Sequence, residues 1–320
     1  NLVIDWKVPS DLADLPAEAG GRKMSFRYRD CQKEMDMINR ALLEVLLAGD
    51  SAGRRFHYPN VTYSVTGEFD WADSRNSQLL FELTARYGTP FFSNYISSGR
   101  KKTEVRDQSG RRFLDPNRLQ REAGSYFGSG ENTGTIGKIT VNLPRLAYQS
   151  ADEQDFFQRL NHIMDLAAAA LKTKRSVLMK FMQEDLYPCT GRYLGGFEGH
   201  FSAIGIMGMN EACLNASWIR KDLTQSRAQR FARSVLTHMR ERLTRYQEKY
   251  GDLYSLEATQ TEYLGIYLAG LDKEAYPDIV TSQTPEGKPY YTENSYLPEN
   301  SFLDPEDELE IQDEFHVLYT

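Results

Sequence analysis

Apolar residues recur along this chain at helical spacing in three long stretches. Residues 29–48 carry apolar positions three and four residues apart, and Gly49 closes the run, which predicts a helix. A second and longer helix is predicted over about 152–184. Ser150 and Glu153 stand just before it with the spacing of a capping box, in which each side chain satisfies a backbone N–H at the start of a helix.

A third helix is predicted over 223–250, opened by Asp222 and closed by Gly251. Short runs between the helices are apolar on both faces, which is typical of strands in a parallel sheet covered by helices. These predicted strands are Val61–Thr66, Pro90–Ile96, Lys138–Leu143, Phe201–Met209 and Tyr263–Leu268. Such alternation predicts an α/β architecture, of which a barrel is one form. Ser282–Asp307, rich in Pro, Tyr, Asn and Glu, predicts a long loop on the surface or over a cleft.

Composition narrows the functional classes. The chain has 320 residues, 40% of them hydrophobic, enough for one large core or two ordinary domains. Its net charge of −7 argues against a general electrostatic grip on nucleic acid. No apolar run approaches the roughly 18 residues of a membrane span, so neither nucleic acid nor membrane is an expected partner. Three widely separated cysteines form neither a disulfide framework nor a zinc motif, and a cytoplasmic location is therefore expected.

Both ends of the sequence are typical of a fragment. The chain starts at Asn1 without an initiator Met, and it stops at Thr320 directly after a helix-like segment. We therefore expect it to be a piece of a longer protein.

The most unusual local composition is Gly124–Gly137, which has five glycines in fourteen residues and runs straight into a predicted strand. Glycines allow positive φ and let other groups approach the backbone closely. One interpretation is a loop that lines an active site or holds a phosphate, and the other is a flexible hairpin connection. The segment matches neither the P-loop nor the dinucleotide pattern, because both need a strand before the glycines and a helix after them.

Polar residues at predicted strand ends are the other candidates, because ligands of α/β proteins bind there. Asn142 and Arg145 follow one strand and either meet a polar substrate or cap a turn. Asn210 and Glu211 follow another, as a substrate clamp or as a helix start. His200 and Glu262 also lie near strand-like runs. A histidine such as His200 is more often structural than catalytic, and a lone glutamate such as Glu262 is usually solvated.

Ten segments, in this order, resemble the anaerobic (class III) ribonucleoside-triphosphate reductases of the glycyl-radical enzyme superfamily. Any one segment is weak evidence for the family, whereas ten segments in the family's order are specific evidence. They include Ile4-Asp-Trp-Lys-Val-Pro-Ser-Asp-Leu, Glu34-Met-Asp-Met-Ile-Asn-Arg, Leu80-Phe-Glu-Leu-Thr-Ala-Arg-Tyr-Gly-Thr-Pro, Phe127-Gly-Ser-Gly-Glu-Asn-Thr-Gly-Thr-Ile-Gly, Val141-Asn-Leu-Pro-Arg and Gly208-Met-Asn-Glu-Ala.

The resemblance implies a ten-stranded α/β barrel of the glycyl-radical and ribonucleotide reductase type. Residues 1–320 would be a single segment of that catalytic barrel, incomplete at both ends. In the family, a glycyl radical oxidises a cysteine on a loop inside the barrel, and the thiyl radical abstracts hydrogen from the ribose. Asn142 matches a family Asn near the ribose, and Glu211 and Glu262 are expected near the substrate. Ser64 stands where the family has Asn at another substrate position.

The loop that threads the barrel would span residues 97–137, and the glycines would form its return limb. The family's Ser-Met-Cys-Cys-Arg-Leu block aligns here so that its two cysteines become Ser109 and Gly110. A serine O–H bond is far stronger than a cysteine S–H bond, so a radical would not exchange with it readily. This substitution is expected to abolish the radical chemistry.

The resemblance also sets expectations for cofactors and partners. No cofactor is expected within this segment. The family implies a glycyl radical installed by an S-adenosylmethionine activase, zinc in a C-terminal part outside this chain, and ATP or dNTP effectors. Implied partners are a ribonucleoside triphosphate, the radical activase and a second subunit in a homodimer. The leading hypothesis is a reductase segment. The alternative is a non-catalytic nucleotide-binding homologue or partner subunit of a true reductase.

Overall fold

The computed structural model describes residues 2–69, 71–72, 74–96, 134–258, 263–299 and 301–319. The chain divides into two compact units, with described residues 2–96 in the first and 134–319 in the second.

The first unit contains a parallel sheet and two longer helices. Strands β1, β4 and β5 pair in parallel in the order β1-β4-β5, and β2 and β3 form a separate antiparallel hairpin. A 3-10 turn over Tyr28–Cys31 leads into the first of the longer helices. The elements are β1 (Leu2–Asp5), α1 (Ser10–Ala13), β2 (Pro16–Ala19), β3 (Arg22–Arg27), α2 (Gln32–Ala48), β4 (Val61–Val65), α3 (Arg75–Tyr87) and β5 (Phe91–Asn94).

The core of this unit lies between β4 and the helices α2 and α3. Every residue of β4 is buried, as expected for a central strand. Tyr63 is fully buried, and its hydroxyl donates a hydrogen bond of 2.8 Å to Oδ1 of Asn39 on α2. Leu43, Leu79 and Leu83 complete the contact between sheet and helices.

The second unit contains another parallel sheet, in the order β6-β7-β8. Strand β7 is its central strand, and all eight of its residues are buried. The elements are β6 (Gly134–Asn142), α4 (Leu143–Gln149), α5 (Glu153–Gln183), α6 (Pro188–Leu194), β7 (His200–Met207), α7 (Met209–Asn215), α8 (Ser226–Tyr250), β8 (Leu253–Glu257), α9 (Leu264–Ala275), β9 (Ser282–Gln283), β10 (Pro289–Tyr290) and α10 (Pro305–His316).

The long helices α5 and α8 cover one face of this sheet. Alternate strand residues point toward them, because successive side chains of a strand point to opposite faces. Those residues share one hydrophobic core with the two helices: Ile139, Val141, Ile204, Ile206, Tyr254 and Leu256.

A buried arginine, Arg175, ties α5 to the end of the sheet at which β7 begins. Arg175 donates from Nη2 to the carbonyl oxygen of His200 at 2.6 Å and from Nη1 to that of Phe197 at 2.9 Å. Its Nε lies 3.6 Å from Oδ1 of Asp252, just before β8. His200, one of the candidate residues of the sequence, is thus buried at the start of β7.

The α/β class is confirmed by these parallel sheets and covering helices, and the predicted helices over 29–48 and 152–184 correspond to α2 and α5. Four of the predicted strands correspond to β4, β5, β6 and β7. The closed ten-stranded barrel stays a prediction, as does the assignment of the whole chain to one barrel segment.

The strand predicted over Tyr263–Leu268 is wrong, because helix α9 spans this run. Leu264 and Leu268 are four residues apart, and both pack against a cluster that includes Met207 and Tyr291. That contact follows the helical period, which a short apolar run does not reveal by itself.

The predicted capping box at Ser150 and Glu153 is also wrong. Asp152 caps α5 instead, because its Oδ1 accepts from the backbone N–H of Asp155 at 2.9 Å. Ser150 belongs to the preceding helix, since its hydroxyl donates to the carbonyl of Leu146 at 2.6 Å.

The third predicted helix begins three residues later than expected, at Ser226. Asp222 does not cap it but holds a turn, in which its Oδ1 accepts from the N–H of Thr224 at 3.0 Å. The N–H of Leu223 is used by Asn210 of α7, at 3.1 Å from its Oδ1. The first residues of the predicted helix are therefore drawn into a contact with α7.

The predicted loop over Ser282–Asp307 has more structure than expected. It contains the β9–β10 hairpin, and α10 already begins at Pro305. Thr292 and Ser295 are buried, so this part of the segment is not a surface loop.

Candidate functional site

Asn142 lies where two parallel strands end side by side. It is the last residue of β6 and the register partner of Met207, the last residue of β7. It also caps α4, because its Oδ1 accepts from the backbone N–H of Arg145 at 3.3 Å. The sequence Asn-Leu-Pro favours this arrangement, since Asn is a good cap and proline suits the first turn of a helix.

A buried carboxylate stands beside Asn142. Asp272 of α9 has no exposed surface, and it accepts 2.8 Å from Nδ2 of Asn142 and 2.5 Å from Nε of Arg145. The Arg145 guanidinium forms an ion pair with it while keeping 40% of its side chain exposed. A paired and hydrogen-bonded carboxylate is the form in which a buried charge is tolerated.

Tyr291 completes this cluster from the segment after β10. Its hydroxyl donates to Oδ2 of Asp272 at 2.8 Å. Burial, and next the hydrogen bond to Asp272, raise the pKa of Tyr291 above its usual value, so the hydroxyl stays protonated and remains a donor. Asp272 therefore joins three elements at the carboxyl edge of the sheet.

Glu211, the second candidate from the sequence, lies in the first turn of α7 and is fully buried. Its Oε1 accepts from the hydroxyls of Thr292 at 2.7 Å and Ser282 at 2.6 Å, and its Oε2 accepts from the backbone N–H of Thr292 at 2.9 Å. Nδ2 of Asn210 lies 3.3 Å from Oε1. Glu211 thus holds the segment 282–292 against α7, and its oxygens are occupied by the protein's own donors.

The sheet face away from α5 and α8 carries polar and small residues in register. Lys138, Ala203 and Ser255 form one row across β6, β7 and β8. In the next row Gly205 is flanked by Glu257 of β8, and Nζ of Lys138 lies 3.3 Å from Oε1 of Glu257. Small residues on the central strand let this ion pair reach across it.

A pocket of about 400 Å³ lies against α9 and the segment after β9. Three tyrosines and two glutamates contribute to its wall: Tyr290, Tyr291, Tyr296, Glu293 and Glu299. Because Tyr291 also contacts Asp272, the pocket lies next to the Asp272 cluster.

Ser64 lies in the first unit, on β4. It is buried and in register with Asp5 and Ser93, and its Oγ has no hydrogen-bond partner among the described residues. Ser109, Gly110 and Glu262 lie outside the described residues, as does most of the predicted loop 97–137. The structure therefore brings Asn142, Arg145 and Glu211 to one edge of the β6–β7–β8 sheet.

Sequence reasoning missed Asp272, Tyr291 and the Lys138–Glu257 pair. The alternation Lys138-Ile-Thr-Val-Asn142 is a signal for the polar face of β6, because Lys138 and Asn142 fall on the side opposite to Val141. Asp272 had no such signal, because it sits in a segment whose helical character was not recognised.

The described ranges contain neither a candidate metal cluster nor a membrane-spanning helix. Within them, no group of three or more His, Cys, Asp or Glu side chains could hold a metal ion. No helix of the described chain is both long enough and apolar enough to cross a membrane.

A comparison with protein-family models shows to which family the chain belongs. A family model described as anaerobic ribonucleoside-triphosphate reductase matches residues 1–320. The chain belongs to this family. The resemblance read from the ten segments is thereby confirmed over the whole length of the chain.

Individual reductases of the family are distant relatives. The anaerobic ribonucleoside-triphosphate reductase of Haemophilus influenzae is 28% identical over an alignment of 195 residues that covers 55% of this chain and 26% of that protein. The anaerobic ribonucleotide reductase of Thermotoga maritima in complex with dATP and CTP shares the fold with a TM-score of 0.69 at 17% identity. That similarity covers 100% of this chain and 50% of the solved one.

A second structure of the Thermotoga maritima reductase, with citrate in the active site, gives a TM-score of 0.66 at 18% identity. It covers 100% of this chain and 55% of that one. This chain thus spans about half the length of its solved relatives, and the structural likeness concerns the fold.

Proposed function

We propose that this chain is a segment of the catalytic barrel of an anaerobic ribonucleoside-triphosphate reductase, and that it holds the ribose of the nucleotide at the carboxyl edge of the β6–β7–β8 sheet. Asn142 is the residue that contacts the ribose, and Arg145 and Asp272 support it. This proposal rests on the family match together with the position of Asn142 at that edge.

The geometry at Asn142 is suited to such a contact. One amide N–H of its side chain donates to Asp272, and Oδ1 accepts from the Arg145 backbone. An amide has two N–H donors, so one stays available for a hydroxyl of the ribose. Carboxyl edges of parallel strands are also the usual place for ligands in α/β proteins.

Glu211 and Ser64 take different places in this proposal. Glu211 shapes the site indirectly, because its oxygens hold the segment 282–292. Ser64 belongs to the first unit, and Glu262 follows β8 in the sequence. Both are proposed to lie near the substrate only because of the family resemblance.

The radical step depends on the loop that carries Ser109 and Gly110. In the family a cysteine on this loop takes the radical, and neither of these residues has an S–H bond. We therefore propose that the chain retains the ribonucleotide-binding edge but does not itself carry the thiyl radical. The activase, the glycyl radical, the effector nucleotides and the homodimer of the family remain proposals for the complete protein.

Calorimetric titration of the full-length protein with CTP tests the binding edge. The informative variant is Asn142→Ser, because serine still caps α4 but lacks the amide donor. We expect CTP to bind to the unmodified protein and to bind roughly five- to tenfold more weakly to the variant, the worth of one hydrogen bond.

Asn161→Ala is the matched control. Asn161 lies on α5 and contacts His238 of α8, on the covered face of the sheet. The control should leave the Kd for CTP unchanged. An absence of CTP binding, or an equal Kd for the unmodified protein and Asn142→Ser, would contradict the proposal.

A further inference from the structure

We propose that Asp272 is a positioning residue that lets the protein distinguish a ribonucleotide from a 2′-deoxyribonucleotide. It does so by fixing the side-chain amide of Asn142 in one orientation. This inference rests on the proposed function, because it assumes that Asn142 meets the ribose.

The first step is the chemistry of the contact. An asparagine side chain carries a donor nitrogen and an acceptor oxygen of nearly equal size, and a 180° rotation of the amide group exchanges their positions. A carboxylate only accepts hydrogen bonds. Asp272, 2.8 Å from Nδ2 of Asn142, therefore requires the amide nitrogen on its side.

The second step is the other end of the same amide. Oδ1 of Asn142 accepts from the backbone N–H of Arg145 at 3.3 Å. Donor and acceptor thus each have one fixed protein partner. The second N–H of the amide is the group left to donate to a ligand, and its direction is set by the first.

The third step is that Asp272 is itself held in place. It is fully buried, its charge is balanced by Arg145, and Tyr291 donates to the same oxygen that Asn142 uses. The raised pKa of Tyr291 keeps that donor present near neutral pH. A carboxylate with three protein donors has little freedom to move, so it can orient Asn142 before any nucleotide arrives.

A fixed donor favours a ligand that offers an acceptor at the matching place. The 2′-hydroxyl of a ribonucleotide offers one, and a 2′-deoxyribonucleotide does not. A site built to hydrogen-bond a hydroxyl discriminates against the analogue that lacks it, because the protein's polar group is then left without a partner. If the Asn142 amide could rotate freely, part of the discrimination between ribonucleotide and 2′-deoxyribonucleotide would be lost.

The ratio of the Kd values for dCTP and CTP measures this role, because it does not require turnover. It would be measured by calorimetry on the full-length protein and on its Asp272→Asn, Asn142→Ser and Tyr291→Phe variants. We expect Asn142→Ser to lower the ratio roughly fivefold and Asp272→Asn to lower it by a smaller factor, because an amide at 272 can present either its oxygen or its nitrogen to Asn142 and no longer fixes its orientation. Combining the two substitutions should lower it no further than Asn142→Ser alone, since both act on one contact.

Tyr291→Phe is the variant to compare with Asp272→Asn. It removes one donor to the same carboxylate but leaves the Asn142–Asp272 hydrogen bond. We expect it to lower the melting temperature and to lower the ratio less than Asp272→Asn does, because the direct contact with Asn142 remains. A merely structural role of Asp272 would make Tyr291→Phe and Asp272→Asn behave alike.

The outcomes separate the inference from the proposed function. If Asn142→Ser lowers the ratio and Asp272→Asn does not, the positioning role is wrong and the proposed function stands. If Asn142→Ser leaves the ratio unchanged, Asn142 does not contact the 2′-hydroxyl and the inference is wrong; if it also leaves the Kd for CTP unchanged, the proposed function is wrong as well. Should Asp272→Asn fail to fold, Asp272→Asn combined with Arg145→Gln removes the charge together with its counter-ion, and the same ratio decides.

Discussion

Gly208 joins β7 to α7 in a backbone conformation that few other residues adopt. Its φ is +76°, and a Cβ added to it would lie 2.4 Å from Cγ of Pro144 and 3.2 Å from Cβ of Tyr291. The glycine therefore allows α4 and the segment with Tyr291 to pack closely against the end of β7.

We expect Gly208→Ala to be more destabilising than Gly251→Ala. Gly251 has a similar φ of +69°, but a Cβ there meets no described residue within 4 Å. The control should cost about 1 kcal/mol for the unfavourable φ, and Gly208→Ala should cost roughly 1–3 kcal/mol more because of the overlap. Urea unfolding of both variants measures the difference, and equal losses would show that the close approach at Gly208 does not matter.

At the level of single residues, the sequence identified Asn142 and Glu211 as candidate site residues but not the contacts that position them. Both follow apolar runs that are recognisable as strands. The partners of these residues are far away in the chain, since Asp272 lies 130 residues after Asn142 and Thr292 lies 81 residues after Glu211. No local pattern encodes such pairs, and without them Glu211 resembles a substrate ligand rather than a buried anchor.

Among the elements, the link between α5 and the strands depends on Arg175. Only 7% of its side chain is exposed, and its guanidinium reaches two backbone carbonyls near the start of β7 as well as Asp252 before β8. Lysine cannot reproduce these contacts, because its single ammonium lacks the planar fork of arginine.

We expect Arg175→Lys to lower the free energy of unfolding by roughly 2–3 kcal/mol, since buried carbonyls lose their donors. Arg159→Ala on the same helix is the control. It removes an exposed ion pair with Asp155, for which about 0.5 kcal/mol or less is expected. Chemical denaturation followed by circular dichroism measures both. A loss at Arg175→Lys no larger than that of the control would show that the link is dispensable.

The long helices were predictable, because α2 and α5 have apolar residues over many turns and their period is clear. Short elements were predicted only in part: strands β4 and β5 were found, whereas β8 was missed and the start of α9 was taken for a strand. A short apolar run by itself does not distinguish a strand from a turn of helix. The capping residue of α5 and the start of α8 were misassigned, because Ser150 and Leu223 form hydrogen bonds outside the helices they precede.

The whole chain belongs to the anaerobic ribonucleoside-triphosphate reductases, and it spans about half the length of the solved relatives. The family could be identified from the order of ten short segments, because order is preserved where overall identity is low. The barrel, the loop 97–137 and the assembly with an activase could be inferred only through that family.

Our central claim is that this protein holds a ribonucleotide at the edge formed by Asn142 but lacks the loop thiol that would reduce it. The most direct test is an anaerobic incubation of the full-length protein with labelled CTP, activase, S-adenosylmethionine and either formate or a thioredoxin system. An active anaerobic reductase run in parallel shows that the activating system works. We predict that CTP is recovered unchanged by the protein with Ser109 and Gly110, whereas formation of dCTP above the background without protein would contradict the claim.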